Sequence, residues 1–79
     1  MKKINILMTG AGAPGGPGII KCLKDVPNSN LIVGDADDKA SGRFLNKSFV
    51  LLPKANDNFF LNKVLLICKK MNIDIIFPL

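Results

Sequence analysis

Short apolar runs alternate with polar and glycine-rich segments along the whole 79-residue chain. Four of these runs are rich in aliphatic residues and bounded by turn-forming residues, a pattern typical of strands buried in a parallel sheet. They lie at residues 4–8, 31–34, 48–52 and 73–77.

Two other stretches repeat apolar residues with the spacing of an amphipathic helix. The first helix is predicted to begin just after the glycine-rich residues 9–18, and the second to be capped by Asn56 or Asp57. Residues 39–46 are expected to form a loop or a single helical turn. The predicted faces are Ile19, Cys22, Leu23 and Val26 in the first helix, and Phe60, Val64, Ile67, Cys68 and Met71 in the second.

The order strand, helix, strand, loop, strand, helix, strand predicts an α/β fold. With right-handed crossovers it gives a Rossmann-like open parallel sheet with strand order 3-2-1-4 and helices on both faces. Ligands of such sheets bind outside the carboxyl ends of the strands, here strands one and four. The fourth strand has a single neighbour in this order, so its apolar edge is expected to promote self-association or to lower stability.

Residues 9–18, directly after the first strand, contain five of the seven glycines. Gly10, Gly12 and Gly15 fit G-x-G-x-x-G, in which the glycines permit a tight turn, a close ligand and a closely packed helix. However, Pro14 and Pro17 have no N–H group, so the loop offers fewer donors to a phosphate than a dinucleotide-binding loop does. A diphosphate is therefore disfavoured, and the alternative is that the glycines serve only the turn.

Acidic residues follow the second strand. Asp35 lies near the roughly 20-residue spacing from the glycine motif at which a carboxylate binds a ribose hydroxyl. The alternative is that Asp35 and Asp37 cap the next turn through their own side chains. Lys39 and Arg43 are close in sequence and are candidates for contact with an anion, although such residues are more often simply solvated.

Composition and charge argue against a nucleic-acid surface, a zinc site and a signal peptide. The formal charge is +5, but the cationic residues are scattered and tyrosine and tryptophan are absent, so no nucleic-acid surface is predicted. Without histidine, Cys22 and Cys68 are expected to be buried apolar groups rather than zinc ligands. The charged start Met1-Lys2-Lys3 precedes an apolar run of only five residues, which favours a strand of a cytoplasmic protein over a signal peptide.

Four segments also carry a resemblance to a known family. They are Ile6-Leu7-Met8-Thr9-Gly10-Ala11-Gly12 with Pro14-Gly15-Gly16, Val33-Gly34-Asp35 with Asp37, Ser48-Phe49-Val50-Leu51-Leu52-Pro53-Lys54, and Asn72-Ile73-Asp74-Ile75-Ile76-Phe77-Pro78. In order and spacing they resemble the N-terminal pre-ATP-grasp domain of ATP-grasp ligases, in particular proteins similar to the large subunit of carbamoyl-phosphate synthase. The resemblance covers nearly all of residues 1–79.

This resemblance implies the substrate-side domain of a ligase that joins a carboxylate to an amine or similar nucleophile through an acyl-phosphate. ATP and Mg²⁺ would be bound by a separate ATP-grasp domain, the expected partner together with a small-molecule substrate. The chain would then be a fragment of a longer protein, inactive alone and without catalytic residues or metal ligands. The predicted substrate- or nucleotide-binding residues are Gly10, Gly12, Gly15, Gly16, Asp35 and Asp37.

Two alternatives remain open. Thr9-Gly10-Ala11-Gly12 resembles the start of the fingerprint of NAD(P)-dependent short-chain reductases and epimerases, but that fingerprint requires a glycine where this chain has Ala13. The other alternative is a non-catalytic ligand-binding or scaffold module whose glycine loop is purely structural. Neither a nucleic acid nor a membrane is a predicted partner.

Overall fold

The computed structural model describes residues 3–79, which form four strands, two α-helices and one 3₁₀ helix. The predicted strands and α-helices are all present, and residues 39–46, predicted as a loop or a single helical turn, contain the 3₁₀ helix η1. In chain order the elements are β1 (Ile4–Thr9), α1 (Gly16–Lys24), β2 (Ser29–Asp35), η1 (Ser41–Leu45), β3 (Phe49–Leu51), α2 (Phe60–Lys70) and β4 (Ile75–Phe77). Relative to the predicted runs, β2 is longer at both ends, whereas β3 and β4 are shorter.

The four strands form one parallel sheet in the order β3-β2-β1-β4, which confirms the predicted α/β topology. The central strands β1 and β2 pair along six positions, from Ile4 opposite Ser29 to Thr9 opposite Gly34. The outer strands β3 and β4 pair with their neighbours along three positions each. The sheet is therefore anchored at its centre and short at its two edges.

One face of the sheet carries the main hydrophobic core. Alternate residues of β1 and β2 point to this face, because successive side chains of a strand alternate. They pack with Ile20 of α1, with Ala11 in the glycine turn and with Ala40 just before η1. The buried members are Ile6, Met8, Ala11, Ile20, Leu31, Val33 and Ala40.

The buried side of α1 differs from the prediction. Ile20 is 1% exposed, whereas Cys22 is exposed and Val26 lies beyond the helix and is exposed. Ile19 and Leu23 pack against the core but are only partly buried. The reason is that Gly16 begins the helix against the backbone of Ala11, which turns positions 16 and 20, one helical turn apart, towards the sheet.

The second helix covers the opposite face, where Val64 is buried and Phe60, Ile67, Cys68 and Met71 are half-buried, so its predicted inner face is confirmed. The predicted cap is wrong, since the N-cap residue is Phe59. Asp57 lies one turn earlier and accepts hydrogen bonds from the Phe59 N–H and the Lys63 ammonium, both at 2.7 Å. The backbone bond from Phe60 to Asp57 (3.0 Å) adds this extra turn before the helix.

At the amino ends of the central strands, Asn5 joins β1 to the turn before β4. Its N–H donates to the Asp74 carboxylate and its carbonyl accepts from the Asp74 N–H, each at 2.8 Å. The Asn5 side chain donates to the carbonyl of Asn72 (3.0 Å) and accepts from the side chain of Asn30 (3.0 Å). One polar residue within an apolar strand therefore connects three segments.

The helices are short. Within residues 3–79 neither α1 nor α2 has the length and hydropathy that a membrane-spanning helix requires.

Candidate functional site

The glycine turn follows the carboxyl end of β1, as predicted. Gly10 has a φ of 76°, a backbone conformation that L-amino acids with a β-carbon rarely adopt. A β-carbon at this position would also lie 2.8 Å from the carbonyl oxygen of Leu79. Ala11 and Ala13 then close the turn by donating to the carbonyls of Gly34 (3.0 Å) and Gly10 (2.9 Å).

Asp35 at the end of β2 reaches directly into this turn. Its carboxylate accepts one hydrogen bond from the Gly12 N–H at 2.8 Å and another from the Asp37 N–H at 3.0 Å. Asp37 in turn accepts from the Lys39 N–H at 2.9 Å. The structure therefore brings Gly10, Gly12 and Asp35 together, and it engages both carboxylates in holding local turns.

The two glycines at the start of α1 have different surroundings. A β-carbon on Gly15 would have no neighbour within 4 Å, whereas one on Gly16 would lie 2.9 Å from the carbonyl oxygen of Ala11. The close helix-to-strand contact that the motif assigns to its third glycine is thus made by Gly16. Gly15 is left facing open space.

Few donors of the loop remain for a phosphate. The amides of Gly12 and Gly16 are used internally, the latter by the carbonyl of Ala13 (2.8 Å). Within residues 3–79 the amides of Gly15 and Gly18 have no hydrogen-bond partner. A carboxylate is already bonded to the loop at Gly12, so a diphosphate there would meet a negative charge as well as a shortage of donors.

The cationic candidates do not converge on the turn. The Arg43 guanidinium lies 5.0 Å from the centre of the Phe49 ring and donates to the carbonyl of Asp38. Arg43 belongs to η1, and this cation–π contact joins η1 to the first residue of β3. Lys39 is exposed, and its backbone N–H donates to the Asp37 carboxylate.

An open groove of about 480 Å³ lies beside α1 rather than over the glycine turn. It is lined by Pro17, Ile20, Lys21, Lys24, Asp25 and Leu45. Lys24 crosses to η1 and donates to the carbonyl of Leu45 at 2.9 Å, so the groove is part of the packing between these helices. In residues 3–79 no three side chains of the metal-binding types lie close enough together to hold an ion.

Sequence reasoning missed two residues with structural roles, Gly42 beside the turn and Asn5 at the opposite end of β1. Gly42 of η1 lies so close to the turn that a β-carbon there would collide with the carbonyl oxygen of Ala11 and with Ile20. Its N–H also donates to that same carbonyl at 3.1 Å. The available signal was a glycine within a predicted helical turn, where this residue is otherwise unfavourable. Asn5 was the other, visible as a lone polar residue inside an apolar strand.

Comparison with known proteins adds no relative, because the chain matches neither a family model nor a curated protein sequence.

Proposed function

We propose that this chain is the N-terminal, substrate-side domain of a cytoplasmic ATP-grasp ligase. The parent enzyme would join a carboxylate to an amine or similar nucleophile through an acyl-phosphate. The proposal rests on the resemblance of the four sequence segments, and it is supported by the parallel sheet in which those segments lie in the order β3-β2-β1-β4.

The observation that favours this function over nucleotide binding is the bond between Gly12 and Asp35. It joins the carboxyl ends of β1 and β2 and takes up an amide that a dinucleotide-binding loop presents to its ligand. With Pro14 and Pro17 also lacking donors, the turn is better suited to support an acceptor substrate or regulatory ligand at its edge.

ATP and Mg²⁺ do not fit the residues of this chain. A triphosphate with its metal requires carboxylates and cationic groups arranged as a clamp. Within the described residues the carboxylates of Asp35 and Asp37 accept backbone amides, and Arg43 stacks on Phe49. We therefore assign ATP and Mg²⁺ to a partner ATP-grasp domain and derive no chemical step from the residues present.

A binding experiment tests this assignment directly. Titration calorimetry with NAD⁺, NADP⁺ and Mg-ATP should give no heat of binding to the 79-residue chain, and incubation with Mg-ATP and carboxylic acids should release no phosphate. Turnover that persists after repurification would contradict the proposal. The coding sequence after residue 79 provides a second test, since the proposal requires a glycine-rich, lysine-bearing ATP-grasp region with late Glu and Asn metal ligands.

One observation favours a second candidate, an NAD(P)-binding domain of a reductase or epimerase. Asp35 lies at the end of β2 beside the glycine turn, which is where a ribose-binding carboxylate lies in dinucleotide-binding folds. Micromolar binding of NAD⁺ that is lost in D35A but kept in D38A would establish this function instead. A Tyr-x-x-x-Lys helix in the coding sequence after residue 79 would support the same conclusion.

A further inference from the structure

The groove beside α1 combines an apolar lining with two lysines. Its volume of about 480 Å³ is within the range of small-molecule sites, roughly 300–1,000 Å³. Pro17, Ile20 and Leu45 supply the apolar part, and Lys21 and Lys24 lie three residues apart on one side of the helix. A concave apolar surface with a few charged groups is the usual composition of a ligand pocket.

The apolar part of the groove is firmly held. Ile20 is 1% exposed and belongs to the main core, and the ring of Pro17 fixes its backbone. Leu45 of η1 remains 42% exposed. An apolar ligand in the groove would therefore cover Leu45 without displacing a core side chain. All of the lining residues belong to the segment 17–45, so α1 with its C-cap and η1 shape the groove by themselves.

The ammonium of Lys24 is held in place where α1 meets η1. It donates to the carbonyl of Leu45 at 2.9 Å, and Leu45 is the last residue of η1. An ammonium has three N–H donors, and within residues 3–79 Lys24 uses one of them. A positioned cation with two further donors therefore lies next to the apolar lining.

Lys24 also marks a change in the polarity of the surface. It lines a second groove, of about 310 Å³, in which polar side chains predominate. The other residues of this second groove are Ser29, Asn30, Leu31, Asn46, Lys47 and Ser48. An apolar surface that ends at a cation and continues as a polar surface suits a molecule with an apolar body and a charged head.

Charge specifies the sign of that head group. The ionisable residues of the groove beside α1 are Lys21, Lys24 and Asp25, two positive groups and one negative, which leaves a net charge of +1. The formal charge of +5 on the whole protein adds to the attraction for an anion. A single negative charge on the ligand would balance the groove, whereas a cationic ligand would be repelled by both lysines.

We propose that the groove beside α1 binds a monocarboxylate with an apolar body, such as a medium-chain fatty acid. The carboxylate accepts hydrogen bonds from the Lys24 ammonium, and the opposite charges strengthen these bonds. Lys21 adds positive charge to the same groove, and the apolar body lies against Pro17, Ile20 and Leu45. The site is separate from the glycine turn and does not depend on the ligase assignment.

NMR titration of the isotope-labelled 79-residue chain with sodium octanoate, below its micelle-forming concentration, tests the proposal. One octanoate should bind per chain, with chemical-shift changes concentrated in α1 and η1. Octylammonium has the same apolar chain and the opposite charge, and it should bind roughly tenfold more weakly or worse. Acetate has the carboxylate without the apolar body and should also bind more weakly.

Variants of Lys24 test its role in the site. K24Q removes the charge but keeps a donor for the carbonyl of Leu45, and it should weaken octanoate binding roughly tenfold. K24R keeps the charge and should retain most of the affinity. K69Q is the matched control, because it removes a lysine from the last turn of α2, away from the groove. Circular dichroism checks that each variant is folded.

Several results would overturn the proposal. They are equal affinities for octanoate and octylammonium, shift changes centred on α2, equal losses of affinity in K24Q and K69Q, and the absence of shift changes at millimolar octanoate. The comparison of octanoate with octylammonium uses the wild type alone, so it decides the outcome even if K24Q does not fold.

Discussion

The two sides of the sheet are held together by different kinds of contact. Around the glycine turn the backbone packs directly on backbone: Gly16 and Gly42 both approach the carbonyl of Ala11, and the core beneath is buried. On the side of α2 and β4, contacts are made by side chains, and many of these remain exposed. Val64 is the buried residue of α2, while Leu61, Leu65 and Leu66 are at least half exposed.

This difference separates a side held by close backbone contacts from one held by partly exposed side chains. Close backbone contacts leave no room for a ligand where Gly16 and Gly42 meet Ala11, so that junction is built for rigidity. Exposed apolar side chains are numerous in α2 and β4, and η1 also exposes Phe44 (77%) and Leu45 (42%). The substitutions below are ordered from the largest expected effect to the smallest.

The largest difference in stability is expected between shortening a buried aliphatic side chain of α1 and shortening an exposed one of α2. Ile20→Ala removes a side chain that is 1% exposed and should lower the free energy of unfolding by about 2–5 kcal/mol. Leu61→Ala removes one that is 65% exposed and should change it by less than about 0.5 kcal/mol. Urea unfolding measures both, and equal losses would contradict the distinction between the two sides.

Adding a single methyl group to η1 tests whether the turn is as tightly packed as described. Gly42→Ala should destabilise the protein by about 1–3 kcal/mol, because the new carbon collides with the carbonyl of Ala11 and with Ile20. The control is Gly15→Ala, which has the same change in composition and open space around it. If the two variants unfold at the same urea concentration, the backbone contact at Gly42 is not important for stability.

The conformation of the turn is tested at its first two motif glycines. Gly10→Ala should cost about 1–2 kcal/mol through its positive φ, in addition to the close carbonyl of Leu79. Gly12→Ala should cost less, since its β-carbon would lie 3.2 Å from both Ala40 and Asp35, and its φ is not in the left-handed region. A larger loss of stability for the Gly12 variant in thermal unfolding would argue against this assignment.

The smallest effect is expected at the exposed start of α2. The hydrogen bond from Lys63 and that from the Phe59 N–H hold the pKa of Asp57 below its ordinary value of 3.8. Because folding lowers this pKa, the contribution to stability is complete above the pKa of the unfolded chain and is lost as the pH falls through the lower, folded value. NMR titration of the Asp57 carboxyl should show K63Q raising its pKa and K69Q leaving it unchanged.

The sequence predicted the order of the strands and α-helices and the strand order of the sheet, because four apolar runs and one glycine turn leave few arrangements of a parallel sheet. It also placed Gly10, Gly12 and Asp35 at the carboxyl ends of neighbouring strands, where the structure brings them together. Whether the turn binds a ligand stays a prediction, and so does the ligase resemblance.

What the sequence did not reveal depends on contacts between distant segments. The buried position of Ile20 follows from where Gly16 meets Ala11, which helical periodicity alone does not specify. The cap of α2 was misplaced because Asp57 is a good capping residue that forms a turn of its own before the helix. Gly42 was overlooked because its close neighbour, Ala11, is far from it along the chain.

The hydrogen bonds between Asn5 and Asp74 also bear on the order of folding. They join residues 69 positions apart, so they form only after the chain has closed its longest loop. A three-residue strand has few contacts to fix its register against β1. The hydrogen bonds between Asn5 and Asp74 fix where β4 begins. If β4 pairs last, one edge of β1 stays unpaired until late in folding. During that time a strand from another molecule can compete with β4 for this edge.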